Sequence, residues 1–161
     1  MAEIIAIANQ KGGVGKTTTT LNLGYSLKAL GKKVLIVDFD SQANLTTYFG
    51  IERSNDIEVN IAHLMMTKME DEELPDKETY IISSGGVNII PSSIYLSVVD
   101  ANLRLEMGSE SILSEILDNL RDDYDYIIID TSPSLGSLTI NALSAADSVI
   151  IAVNPQLLAM M

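Results

Sequence analysis

The residues best able to do chemistry stand together near the N-terminus. Asn9 to Thr19, NQKGGVGKTTT, holds three glycines, two lysines and three threonines in eleven residues. A short apolar run, EIIAIA at 3–8, leads into it, and a segment of helical pattern leads out. Glycines let a backbone bend until successive N–H groups point at one anion, and a helix N-terminus adds its positive dipole end. In such a cradle Lys16 reaches the β- and γ-phosphates of a nucleotide, and Thr17 sets its hydroxyl on Mg²⁺. The common pattern GxxxxGK[ST] is met except at its first position, where Gln10 stands. Lys11 follows it, and a loop built around Lys16 has no obvious need of a second, repelling cation.

The elements that must position this loop repeat one grammar. Apolar runs short enough for buried strands occur at 3–8, 34–37 (VLIV), 80–82, 87–90 (VNII), 126–129 (YIII) and 148–153. Helical spacing fills much of what lies between. Thr17 to Leu30 places Leu23, Leu27 and Leu30 on one face, with Gly31 set to end it. Residues 42–69 read as helix broken at Gly50 and at the polar patch 54–56. Residues 94–106, 110–121 and 137–146 read as further helices, the second presenting Ile112, Ile116, Leu117 and Leu120. Continuous apolar strands alternating with helices predict an α/β fold with a doubly wound, mostly parallel sheet. Ligands of such sheets bind at the carboxyl ends of the strands. The glycine loop after the first strand, Asp38 and Asp40 after the second, and Asp130 after YIII are thereby expected to converge on one edge. Taken alone, each of these aspartates is equally a strand-end turn former or cap.

Together these stretches carry a family resemblance. KGGVGKT is the deviant form of the Walker A pattern. KGGVGKTTTTLNLGYSLKALGKKVLIVDFDSQANLT resembles the ParA/Soj group of the ParA–MinD superfamily of P-loop ATPases, from the P-loop into switch I. VNIIPSS is similar to that group's middle strand, and YDYIIIDTSPSLGSLTINALSAADSVIIAVNP resembles its Walker B, switch II and following helix. The resemblance spans the whole chain and implies a single P-loop ATPase domain over 1–161.

The resemblance also implies roles. ATP with Mg²⁺ would lie on Lys11, Gly12, Gly13, Val14, Gly15, Lys16, Thr17 and Thr18. Thr17, Asp40 and Asp130 would serve the metal, Asp130 through water, and Asp40 would orient the attacking water, with Asp38 nearby. Lys16 would serve the nucleotide of its own subunit. Lys11, the signature lysine, would cross a homodimer interface to the partner's phosphates, as an arginine finger does. The implied activity is slow ATP hydrolysis coupled to dimerisation, in plasmid or chromosome partition with a ParB-like partner. Two departures touch the switch loops: Ser41 stands where the family often has Pro, and Ser132-Pro133 where it often has Pro-Pro. Family members also continue well beyond NPQLLAMM, with elements that carry adenine contacts and the basic residues that hold DNA. The chain therefore reads as the N-terminal portion of a ParA-like domain.

Composition bounds the alternatives. The chain has 161 residues, is 47% hydrophobic and 20% charged, and carries a formal net charge of −12. An acidic chain repels phosphate backbones, so weak or no DNA binding is expected of this segment. Cysteine is absent, which removes the iron–sulfur members of the superfamily and all thiolate chemistry. No apolar run is long enough to span a bilayer and no basic region precedes the first strand, so a cytoplasmic protein without a membrane partner is expected, nucleoid-associated in full-length form. The remaining rivals are a MinD-like membrane-cycling ATPase, which needs a basic amphipathic tail, an ATP-dependent ligase or amidase such as the cobyrinate diamide synthases, and a GTPase, whose Asn-Lys-x-Asp motif is missing here. His63, without a ligand partner nearby, reads as structural or solvated. Met65, Met66 and Met69 read as core or interface filling, and MEDEELPDKE at 69–78 as a solvated loop.

Overall fold

A computed structural model describes residues 1–155. Six strands form one sheet: β1 (Glu3–Ala8), β2 (Val34–Phe39), β3 (Ile82–Ser84), β4 (Val87–Ile90), β5 (Tyr126–Thr131) and β6 (Ser148–Ile151). Their spatial order is β3-β4-β2-β5-β1-β6, parallel except for the β3–β4 hairpin. That hairpin turns at Gly85 and Gly86, both at positive φ, which suits a tight two-residue connection. The doubly wound, mostly parallel α/β sheet expected from the alternating pattern is therefore present. The single-domain span of 1–161 extends six residues past the described ones.

Among the described residues six α-helices flank the sheet: α1 (Lys16–Ala29), α2 (Asn44–Tyr48), α3 (Ile61–Met69), α4 (Leu96–Leu103), α5 (Ile112–Asp118) and α6 (Ser137–Ala145). Strand residues alternate between the two faces. Leu35, Val37, Phe39, Ile127 and Ile129 meet α3 to α6 on one side, with Leu64, Met65, Leu96, Leu113 and Leu138. Ile5, Ile7, Ile36 and Ile128 meet α1 and α2 on the other, with Leu45 and Phe49. Met65 is fully buried and Met66 and Met69 pack on the first cluster, as the methionine pattern predicts.

Several local expectations shift. The buried residues of α1 are Lys16, Thr20 and Gly24, not a leucine stripe. A Cβ on Gly24 would stand 2.7 Å from Ile36 Cδ1, so a larger residue there would push the end of Ile36 or the helix aside. Leu23 and Leu27 are half-buried beside it, while Leu30 is 75% exposed beyond the helix end. The first hairpin strand begins at Ile82, after Tyr80 has turned inward and become buried. In α5 the inward residues are Leu113, Ile116 and Leu117, with Ile112 half-buried. Asp38 and Asp130 lie within β2 and β5 rather than after them, paired in register across the two strands.

Candidate functional site

The carboxyl ends of β1, β2 and β5 bring the predicted residues to one edge. β1 feeds a loop in which Gly13 and Gly15 hold φ of +71 and +92, conformations that side-chain-bearing residues rarely adopt. No atom lies within 4 Å of a Cβ built on Gly12, Gly13 or Gly15. These glycines therefore serve backbone shape and an open approach, not packing. Gly15 is also the N-cap of α1, so the dipole end of the 14-residue helix faces the same space.

That space is a cavity of about 850 Å³. Gly12, Gly13, Gly15, Lys16, Thr17 and Thr18 form its floor, and Asp40, Tyr48, Thr131 and Pro133 contribute walls. Lys16 is only 7% exposed, and its ammonium donates to the Lys11 carbonyl at 3.1 Å. Burial pulls the Lys16 pKa down, opposed by the negative charges of Asp130 and Asp40.

Thr17 Oγ1 donates to Asp130 Oδ2 at 2.7 Å, and Thr20 Oγ1 donates to Oδ1 at 3.3 Å. The first turn of α1 is thus tied to the last residues of β5. Burial raises the Asp130 pKa to about 6 against those two hydrogen bonds. Asp38 is fully buried, and neither it nor the buried Asp130 lines the cavity, which Asp130 reaches only through Thr17. Asp38 Oδ2 accepts from the Thr46 amide at 2.8 Å and the Thr46 hydroxyl at 2.6 Å. Burial pushes its pKa to about 7, and the neighbouring Asp130 charge adds to the rise. Asp40, two residues on, lines the cavity, with Oδ1 accepting from the Gln42 amide at 3.0 Å.

Two predicted cradle residues stand apart from the cavity. The Val14 side chain packs on the core cluster beside α1. Lys11 is exposed and is among the residues lining a separate cleft of about 460 Å³, with Ser132, Ser134 and Leu135. Its amide is held by Asn9 Oδ1 at 2.9 Å. No group of three or more His, Cys, Asp or Glu side chains with metal-holding geometry occurs among the described residues. A Thr17 hydroxyl beside one carboxylate suits Mg²⁺ shared with substrate phosphates and water instead. No helix among the described residues is long and apolar enough to cross a membrane.

Sequence reading missed Thr46 and Ser92, both fully buried and both hydrogen-bonded around Asp38 and Asp40. Their only signal was a polar residue beside a motif: Thr46 closes the stretch DSQANLT, and Ser92 follows Pro91 in VNIIPSS.

A family described as "AAA domain" matches residues 2–161. The sporulation initiation inhibitor protein Soj of Bacillus subtilis is 45% identical over 155 residues, covering 95% of this chain and 58% of its own length. The chromosome partitioning protein ParA of Myxococcus xanthus is 40% identical over 153 residues, covering 94% and 52% respectively. The chain thus spans little more than half the length of these curated relatives. Among solved structures, cobyrinic acid a,c-diamide synthase from Mycobacterium smegmatis, with bound ATP analogue and magnesium, superposes at a TM-score of 0.89 and 34% identity. That match covers 99% of this chain and 63% of the other. A plasmid partition protein from Borrelia burgdorferi superposes at 0.80 with 33% identity, covering 99% and 69%.

Proposed function

Because this chain belongs to the AAA-domain family that matches it, and is a ParA/Soj-type P-loop ATPase of the ParA–MinD superfamily, we propose that it binds Mg·ATP in the glycine cradle and hydrolyses it in a nucleotide-dependent dimer, to partition a plasmid or chromosome. The observation that carries this reading is the conjunction at one cavity of an open left-handed glycine loop, a buried Lys16 and a Thr17 hydroxyl 2.7 Å from Asp130. This donor set fits Mg²⁺ and a polyphosphate. Backbone N–H groups of 12–18 and the Lys16 ammonium would hold the phosphates, while Thr17 would hold the metal directly and the buried Asp130 through water, with Asp40 lining the same cavity as Thr17. Mg²⁺ supplies charge neutralisation on the transferring phosphoryl group.

The chain's own groups then have separable tasks. Lys16 binds and neutralises in its own subunit. Asp40 accepts a hydrogen bond from water and orients it. Lys11, exposed beside the Ser132–Ser134 cleft, would reach a facing subunit's phosphates and supply charge there. A ParB-like protein as activator, and DNA held by regions outside this chain, complete the proposal.

A second reading has its own support, the high structural likeness to a diamide synthase. An amidase of that kind uses the same ATP site but turns over only with a carboxylic acid acceptor and a nitrogen donor. The test is phosphate release together with size-exclusion light scattering. ATPase turnover without added acceptor, with ATP-driven dimerisation that Lys11→Ala removes, supports the partition reading. Turnover strictly dependent on an acceptor acid overturns it.

A further inference from the structure

We propose that Ser92 is the positioning residue that holds Asp40 in place, an inference that rests on the role given to Asp40 above. Asp40 stands just past the end of β2, where its backbone leaves the ladder. Its carbonyl accepts from the Ala43 amide at 3.0 Å, its amide approaches Asp38 Oδ1 at 3.3 Å, and its carboxylate accepts from the Gln42 amide at 3.0 Å. All three partners lie within three residues of Asp40, so they define the local turn but move with it. Ser92 differs. Its Oγ donates to the Asp40 carbonyl at 2.7 Å from 52 residues away, the one non-local hydrogen bond on Asp40 among the described residues.

Ser92 grips the far end of the same turn as well. Its amide donates to Thr46 Oγ1 at 2.9 Å, and that hydroxyl in turn donates to Asp38 Oδ2 at 2.6 Å. One residue thus bridges both ends of the stretch 40–46, through its side chain at Asp40 and its main chain at Thr46. Ser92 and Thr46 are fully buried, which keeps water from the bond between them, while the bond from Ser92 to Asp40 is part-buried. Ser92 is itself fixed. It follows β4, which pairs with β2 along 35–37, and its neighbour Ser93 donates to Asn60 Oδ1 at 3.3 Å, at the cap of α3. The sheet and α3 thereby set where Asp40 stands relative to Lys16 and Thr17. A group that orients water is sensitive to displacements of about 1 Å, on the order of a hundredfold in rate.

The experiment compares Ser92→Ala, Asp40→Ala and the double variant in the full protein. Ser92→Ala is expected to lower kcat about tenfold or more and leave ATP affinity within about twofold, because no phosphate contact is touched. In the Asp40→Ala background the same change should lower kcat no further, since Ser92 acts through Asp40. Amide exchange of the nucleotide-free protein gives a reading without turnover: the Ala43 amide should exchange faster in Ser92→Ala. Unchanged turnover and unchanged Ala43 exchange in Ser92→Ala overturn the inference, as does an equal further loss in the Asp40→Ala background. Should Ser92→Ala not fold, Thr46→Ser and Thr46→Val decide. The first keeps the hydroxyl and should retain turnover, the second should lose it, and equal turnover of the two overturns the proposal. Full turnover in Asp40→Ala instead overturns the role of Asp40, while the exchange measurement still reports whether Ser92 holds the turn.

Discussion

The Lys16 ammonium donates to the backbone carbonyl of Lys11 at 3.1 Å, while Lys11 itself is exposed beside a different cleft. The side chain of the buried lysine grips the main chain of the exposed one, and only the buried one lines the cavity of the glycine loop. Lys16 is pre-set toward the glycine cradle, and Lys11 is left outside it.

That separation predicts opposite effects on binding. Lys16→Ala should weaken Mg·ATP affinity a hundredfold or more, by removing a buried charge-assisted contact to phosphate. Lys11→Ala should leave affinity within about threefold but prevent ATP-driven pairing. Calorimetry and light scattering read the two effects, and equal losses of affinity in both variants would contradict the assignment.

Asp40→Ala should preserve ATP binding and lower hydrolysis by about a hundredfold, the usual scale for a group that handles the attacking water's proton. The variant should accumulate as the ATP-bound dimer. Single-turnover assays with labelled ATP check both halves of this expectation.

The metal-free protein should grow more stable as pH falls from about 7 toward 5. Asp38 and Asp130 have pKa values raised to about 7 and about 6 by burial. Between the ordinary carboxylate value and these raised values the folded state holds more protons than the unfolded one. Stability therefore falls as pH rises through that window. Asp38→Asn, which removes the titrating group, should flatten the slope. At the acid end the opposite sign appears. Asp147, held below the usual range chiefly by its Arg121 hydrogen bonds, contributes stability that is lost once it protonates.

Asn141 should matter for folding and not for nucleotide. It is fully buried on α6, accepts from the Leu113 amide at 3.1 Å and donates to the Ser109 carbonyl at 2.8 Å. Asn141→Ala strands both groups and should cost about 2–3 kcal/mol in urea denaturation, with ATP affinity of the folded protein unchanged.

DNA should bind this 161-residue chain only weakly, given its net charge of −12. A Kd weaker than about 1 μM at physiological salt is expected, in the non-specific range. Nanomolar affinity with a steep salt slope would reveal a basic surface that the proposal assigns elsewhere.

What was legible in the residues themselves was whatever is contiguous along the chain. The cradle lies within residues 9–19, so its glycines, Lys16 and Thr17 announce one phosphate site locally. The strand runs are apolar on both faces, so their type, and hence the parallel sheet with its ligand edge, follows from pattern alone. Register does not. That Asp38 stands beside Asp130 inside neighbouring strands depends on how β2 and β5 slide together, which no local pattern states. The same holds for Thr46 and Ser92, ordinary polar residues until the fold buries them against Asp38 and Asp40. It holds for α1 too, where leucine spacing suggested the buried stripe and Gly24 makes the close contact with Ile36. Hydrophobic period reports which side of an element is apolar, but how near two elements come, and which buried polar groups then satisfy one another, is settled only when the layers pack.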